Sequence, residues 1–208
     1  MNYFPDRTYD NIGVYLDGYF DRLGAAVATV DRKRLQAAAD LIVEAVERDR
    51  TIFSCGNGGS AAIANHLACD CMKGARTGAT IRPRVVSLSA TVELITAIGN
   101  DLGYDDVFSF QLSSLARSGD VLIAISSSGD SPNIVKALDW AKANDVRSVA
   151  MTGFTGGRAG KIADIWLHAD ERNYGIVEDV HQSFMHVLAQ YLRHRRLIEP
   201  QLLGELKF

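Results

Sequence analysis

The 208-residue sequence holds only three cysteines, Cys55, Cys69 and Cys71. An odd number at this spacing builds neither a zinc knuckle nor a disulfide framework, so free thiols in a reducing compartment are expected. Cys55 reads as a small apolar filler beside a strand end. No apolar run approaches the roughly 20 residues that span a bilayer. The amino-terminal Met1-Asn-Tyr-Phe-Pro-Asp-Arg lacks the basic-then-apolar order of a secretion signal. These absences predict a cytoplasmic protein with no membrane partner. Positive charge is scarce too: the net charge is −3 and no long basic stretch occurs. The short Arg193-His-Arg-Arg196 reads as a solvated helix end, and no nucleic-acid partner is expected. Linkers, internal repeats and low-complexity segments are also missing. With 47% hydrophobic and 23% charged residues, the composition is that of a globular protein. A single domain over residues 1–208 is expected, with a helical hairpin at 1–49 and an α/β core with a last helix at 50–196.

Helical spacing dominates the first part of the chain. Tyr15, Leu16, Tyr19, Phe20 and Leu23 mark one helix, and Leu35, Ala38, Leu41, Ile42, Ala45 and Val46 a second. Asp31 is suited to cap the second. From Thr51 the pattern changes. Short, β-branched, nearly uniformly apolar runs at Thr51–Ser54, Arg84–Leu88, Asp120–Ile125, Ser148–Thr152 and Ile165–His168 predict strands buried on both faces. Helix-forming segments lie between them, at Ala61–Lys73, Val92–Ile98, Val107–Ala116, Asn133–Ala143 and near Arg158–Ile162. A final helix is expected over about Gly175–Arg195. This alternation predicts an α/β fold, a parallel five-stranded sheet between two helical layers.

Ligands of such sheets bind beyond the carboxyl ends of the strands, and two stretches on that edge stand out. The first is Ser54-Cys-Gly-Asn-Gly-Gly-Ser60. Its glycines permit a tight turn and close approach of a ligand, and Ser60 stands where an N-cap or a phosphate-contacting hydroxyl would sit. Further along the predicted helix, His66 and Asp70 are four residues apart and share one face. A packing turn followed by two incidental polar residues is the alternative reading. The second stretch is Ile125-Ser-Ser-Ser-Gly-Asp-Ser131, four serines and a glycine between a buried strand and a helix start. Hydroxyls and backbone N–H groups at a helix N-terminus suit a phosphate dianion. No lysine of Walker type is present, which argues against nucleoside triphosphate hydrolysis.

These two stretches, with Gly99-Asn-Asp101, Met151-Thr-Gly153, Gly156-Gly157 and the late Glu178-Asp-Val-His-x4-His186, resemble the sugar-isomerase (SIS) domain family. The likeness covers nearly the whole chain. Within the family it is strongest to the isomerases that interconvert sedoheptulose 7-phosphate and D-glycero-D-manno-heptose 7-phosphate. The resemblance implies a flavodoxin-like, nucleotide-binding-type sheet topology. It also implies a homotetramer with active sites at subunit interfaces, a phosphosugar substrate and one Zn2+ per subunit. Carried over position by position, Asn57, Gly58, Gly59 and Ser60 line the sugar site. Asn100 and Asp101 contact substrate hydroxyls, and Ser126, Ser127, Ser128 and Ser131 hold the phosphate. The family's metal ligands match His66, Asp70, Glu178 and His186, and its base and acid/base partner match Asp70 and His186.

Two positions depart from the family pattern. Asp70 stands in place of a glutamate, and Glu178 in place of a glutamine. Two imidazoles and two carboxylates remain a chemically reasonable zinc set. Glu178 and His186, however, lie eight residues apart, about 12 Å along an ideal helix. Both reach one metal only if Glu178 lies at the helix start or before it; His181 or Asp179 are the alternatives. The departures favour a second reading, an isomerase or epimerase for a different phosphosugar. A third is a noncatalytic sugar-phosphate sensor or partner-binding scaffold, against which the retained His66, Asp70 and His186 speak.

Overall fold

The computed structural model describes residues 3–199, 201 and 204–205. Two helices open the chain, α1 (Ile12–Ala28) and α2 (Arg32–Glu47). Asp31 caps α2 as its position predicts, accepting hydrogen bonds from the backbone N–H groups of Lys33 and Arg34 at 2.8 and 3.2 Å. Then follow β1 (Thr51–Gly56), α3 (Gly59–Cys69), β2 (Arg84–Ser87), α4 (Val92–Asp101), α5 (Ser109–Leu115), β3 (Val121–Ser126) and α6 (Pro132–Ala143). The chain continues with β4 (Arg147–Thr152), α7 (Ala159–Ile162), β5 (Ile165–His168) and α8 (Tyr174–His194).

All five strands are parallel, in the order β2-β1-β3-β4-β5. Because successive strand residues point to opposite faces, β3 divides its side chains between two cores. Val121, Ile123 and Ile125 pack toward α1, α2, α3 and α8. Leu122 and Ala124 pack toward α4, α5, α6 and α7. Both faces being covered explains why the strands read as unbroken apolar runs instead of alternating ones. Among the described residues, no helix is long and apolar enough to cross a membrane.

Two local expectations fail. The helix expected to run through Lys73 ends as α-helix at Cys69 and widens into one π turn at Asp70–Gly74, closed by Ala75 N–H donating to the Asp70 carbonyl at 2.8 Å. Such a turn displaces the residues that follow and is frequent at functional sites. At the other end, Arg193 is buried instead of solvated, because α8 lies against α1, α2 and α3 along much of its length.

The strand order reverses between β1 and β3. In open sheets of this order, the crevice at that switch point is where ligands bind. The glycine turn leaves β1 there, and the serine loop leaves β3.

Candidate active site

The glycine turn is shaped by close approach. At Gly56, a Cβ would fall 2.6 Å from the carbonyl carbon of Ser60; at Gly59, it would fall 2.6 Å from the Glu178 carboxyl carbon. Gly58 caps α3 with φ 54°, a left-handed conformation that glycine adopts freely. Ser60 is therefore inside the first turn of α3 and not its N-cap. It is buried and faces the crevice.

The serine loop forms the opposite wall. Ser131 is the N-cap of α6 and Pro132 its first residue, a position where the missing N–H is no loss. Ser131 makes no capping hydrogen bond; its Oγ lies 3.4 Å from Ser126 Oγ. Ser126 and Ser128 accept from the N–H groups of Gly129 and Asp130, both at 3.2 Å. Ser127 Oγ is buried without a hydrogen-bond partner, a state that costs stability unless a ligand satisfies it. Asp130 is turned away from the crevice. Its carboxylate accepts from the Arg158 backbone and guanidinium at 3.0 Å each, which holds it below the usual carboxylate range. Ser60, Ser126, Ser127, Ser128 and Ser131, with Asn57, Tyr174 and Glu178, enclose a cavity of about 120 Å3. Its protein wall carries no guanidinium or ammonium. A phosphate held there depends on hydroxyls, backbone N–H groups and the α6 dipole.

Asn57 is fixed before any ligand arrives. It exchanges two amide hydrogen bonds with Asn133, each 2.9 Å, and accepts a third from Tyr104 Oη at 3.0 Å. The sequence reading gives Tyr104 no role and Asn133 only that of a helix start. Asn133 sits one residue after the helix-opening proline, a position that propensity explains without any function. Asn100 and Asp101, expected at the substrate, instead bond to one another at 2.7 Å on the exposed end of α4. They are not among the residues that enclose the cavity.

The second cluster lies where α3 and α8 pack together. His66, Asp70 and His186 each bring a ligand atom to within 4.8 Å of the others. Asp70 joins the two imidazoles: Oδ1 is 3.3 Å from His66 Nε2, and Oδ2 is 3.0 Å from His186 Nδ1. Gln182 closes the ring, with Nε2 2.9 Å from His66 Nδ1 and 3.1 Å from His186 Nε2. One proton assignment satisfies all four contacts. The Gln182 amide donates to both facing nitrogens, and each imidazole donates its other N–H to Asp70. The side chains of His66 and His186 are 45% and 38% exposed, which is not the burial of interior packing histidines. Both are accessible, and two imidazole nitrogens with a carboxylate are a set that could hold a metal ion.

Glu178 is not part of this cluster: its carboxyl lies against Gly59, on the wall of the serine cavity. α8 begins at Tyr174, so Glu178 lies inside the helix, and the condition under which it could share a metal with His186 is not met. The amide that faces the imidazoles is that of Gln182, one turn closer to His186. A sequence signal for it existed: Gln182 and His186 repeat on α8 the four-residue spacing of His66, on α3, and Asp70, in the π turn after it. The two alternatives on α8 are excluded as well. His181 is fully buried, and Asp179 accepts from Tyr19 Oη at 2.6 Å. Burial, with a smaller contribution from the neighbouring Asp179 charge, raises the Glu178 carboxyl above its usual range.

Comparison with known proteins identifies the family. The sugar-isomerase family described as the SIS domain matches residues 15–153. The phosphoheptose isomerase of Nitratidesulfovibrio vulgaris is 38% identical over 176 residues, covering 80% of this chain and 83% of that protein. That of Mycobacterium bovis is 36% identical over 171 residues, covering 79% and 85%. Among solved structures, a phosphoheptose isomerase from Neisseria gonorrhoeae superposes with a TM-score of 0.79 at 30% identity, over 87% of this chain and 96% of that one. One from Francisella tularensis gives 0.81 at 27% identity, over 89% and 97%. With a family match over two thirds of its length and relatives alike over most of it, the chain belongs to the SIS-domain family.

Proposed function

We propose that this protein is an aldose–ketose isomerase of phosphorylated sugars, interconverting sedoheptulose 7-phosphate and D-glycero-D-manno-heptose 7-phosphate. One observation carries the reading. The buried, unpartnered hydroxyl of Ser127 belongs to a serine cradle on the same crevice edge as the His66–Asp70–His186 cluster. A phosphate in the cradle leaves the sugar chain to run along the seam between α3 and α8 toward the cluster. The names of the relatives support the same substrate class.

Isomerisation between C1 and C2 requires three things: an acyclic substrate held in place, a proton moved between carbons, and protons exchanged at the two oxygens. Hydroxyls and backbone N–H groups of the serine loop bind the phosphate. The locked Asn57 and the bare backbone of Gly58 and Gly59 shape the sugar subsite. His186, oriented through its Nδ1 by Asp70, forms with it the acid–base pair that serves the substrate oxygens. His66, Asp70, Gln182 and His186 are the residues that would hold one Zn2+ per subunit. Bound there, a cation polarises a carbonyl and stabilises developing oxyanion charge.

A homotetramer is supported by apolar surface that one chain leaves uncovered: Ile12, Leu16 and Phe20 on α1, Val187 on α8, Phe110 on α5, and Tyr104, which contacts Asn57. Val187 adjoins His186, which suits active sites at subunit interfaces. Three free thiols support a cytoplasmic location.

The test is turnover of sedoheptulose 7-phosphate by the purified protein, with Asp70→Asn and His186→Ala beside it and metal measured in each. Turnover that is lost in both variants, with stoichiometric metal in the parent, is the expected result. Activity near the parent level in both variants would remove Asp70 and His186 from the mechanism. Turnover of another phosphosugar alone would favour the different-substrate reading that Glu178 invites.

A further inference from the structure

The isomerase reading gives no part to Asn133 or Tyr104, yet both converge on Asn57, and they do so from separate stretches of chain. Asn57 stands in the glycine turn between β1 and α3. Tyr104 opens the single helical turn Tyr104–Asp106 after α4, and Asn133 lies in the first turn of α6, just past the serine loop. Asn133 is 1% exposed, a burial that an amide tolerates only with its polar atoms paired. Its Oδ1 accepts from Asn57 Nδ2 and its Nδ2 donates to Asn57 Oδ1, both at 2.9 Å. Tyr104 Oη donates to the same Asn57 oxygen at 3.0 Å.

Counting donors and acceptors gives what remains for a ligand. An amide oxygen has two acceptor sites and an amide nitrogen two N–H donors. Asn133 and Tyr104 occupy both sites on Asn57 Oδ1, and Asn133 takes one of the two N–H groups. Asn57 therefore offers a ligand one N–H and no acceptor. It lines the serine cavity, where serine and tyrosine hydroxyls turn to donate or to accept and the Glu178 carboxylate accepts. Asn57 is the side chain of that wall that can only donate.

We infer that Asn133 and Tyr104 are positioning residues: they hold the Asn57 amide in one orientation and make this point of the site specific for an oxygen that accepts a hydrogen bond, on the phosphate or a carbonyl of the substrate. The inference rests on the phosphosugar isomerase reading. An Asn57 without these partners turns its amide over and presents an oxygen to the substrate's oxygens as readily as it presents an N–H. The reciprocal amide pair also ties the glycine turn to the start of α6. The turn that shapes the sugar subsite and the loop that holds the phosphate then keep one separation, and binding spends less on ordering them.

The experiment is a double-mutant cycle on sedoheptulose 7-phosphate. It reads affinity by calorimetry and KM and kcat by turnover, with thermal unfolding to verify the fold. Asn133→Leu keeps the branched shape and deletes both amide bonds; Asn57→Ala deletes the group being positioned. Asn133→Leu should weaken binding and raise KM about tenfold. Where Asn57 is already alanine, it should change either by less than about twofold. A residue that only supports α6 costs the same in both backgrounds, and that result overturns the assignment, as does an Asn133→Leu variant within about twofold of the parent. Should Asn133→Leu fail to fold, Tyr104→Phe decides, since this exposed ring loses its hydroxyl alone. Its expected cost is about threefold in the parent and none beside Asn57→Ala; a cost that is absent, or equal in both backgrounds, overturns the inference. Asn57→Ala binding as tightly as the parent overturns it as well and leaves the phosphosugar reading standing. A parent protein that binds no sugar phosphate overturns that reading, and this inference with it.

Discussion

His181 makes the protein acid-sensitive in a way that can be assigned to one side chain. It is fully buried on α8 between Val180 and Phe184. Its ring nitrogens have no hydrogen-bond partner of good geometry, with the Thr152 backbone nearby as partial compensation. Burial, opposed in part by the Thr152 backbone and aided slightly by the nearby His168, lowers its pKa to about 4. Unfolding releases it to the ordinary value near 6.5. The unfolded chain therefore binds the proton first, and stability falls as pH drops below about 6.5. Between pH 7.5 and 5, this one group removes about 2 kcal/mol, at about 1.4 kcal/mol per pH unit over most of that interval. Urea unfolding followed by circular dichroism at pH 7.5, 6 and 5 measures it. With a slope of about 2–4 kcal/mol per molar, the parent's midpoint shifts by about 0.5–1 M from this source. His181→Leu, similar in volume, removes the titration. Carboxylate contributions are shared by both proteins and cancel in the difference. If the stability difference between parent and His181→Leu is the same at pH 7.5 and pH 5, the reasoning is wrong.

Two further substitutions probe the cradle and the frame. Gly129 has φ +70°, and a Cβ there would run into the Gly156 carbonyl, so Gly129→Ala must separate the serine loop from the loop after β4. Sugar-phosphate affinity should fall about tenfold or more by calorimetry, and unchanged affinity would show that the serine loop is not the phosphate site. Glu171, 1% exposed, pairs with Arg22 of α1 and accepts from the N–H of Arg172 at 2.6 Å. Arg22→Met should cost about 3 kcal/mol in urea unfolding, because it strands a buried carboxylate. A cost below about 1 kcal/mol would mean that water reaches Glu171.

Most of the fold was legible because each strand is a short apolar run between helix-forming segments, and the structure places all five strands where those runs lie. Boundaries slipped where local chemistry overrode periodicity. α3 starts at Gly59 because Gly58 supplies a left-handed cap, and the π turn at Asp70–Gly74 has no periodic signature. The serine cradle and the His66, Asp70 and His186 cluster could be located because motif spacing places them on one sheet edge and one helix face. Asn133 and Tyr104 could not, since each acts through a contact with Asn57, far away in sequence, and Gln182 left only its four-residue spacing from His186. The position of Glu178 shows a related effect. Matching position by position assigns a role, but the helical phase of α8, set by its start at Tyr174, decides which side chain reaches the imidazoles. Asn100 and Asp101 lie outside the cavity because α4 carries them to the surface.

The central claim is that the serine cradle and the cluster act on one phosphosugar. Its most direct test is the crystal structure of the protein soaked with sedoheptulose 7-phosphate, with anomalous scattering used to identify any metal. The account predicts the phosphate on Ser126, Ser127, Ser128 and Ser131 and the C1–C2 end toward His66, Asp70 and His186. A sugar bound with its phosphate at the imidazole cluster, or elsewhere on the molecule, would contradict it.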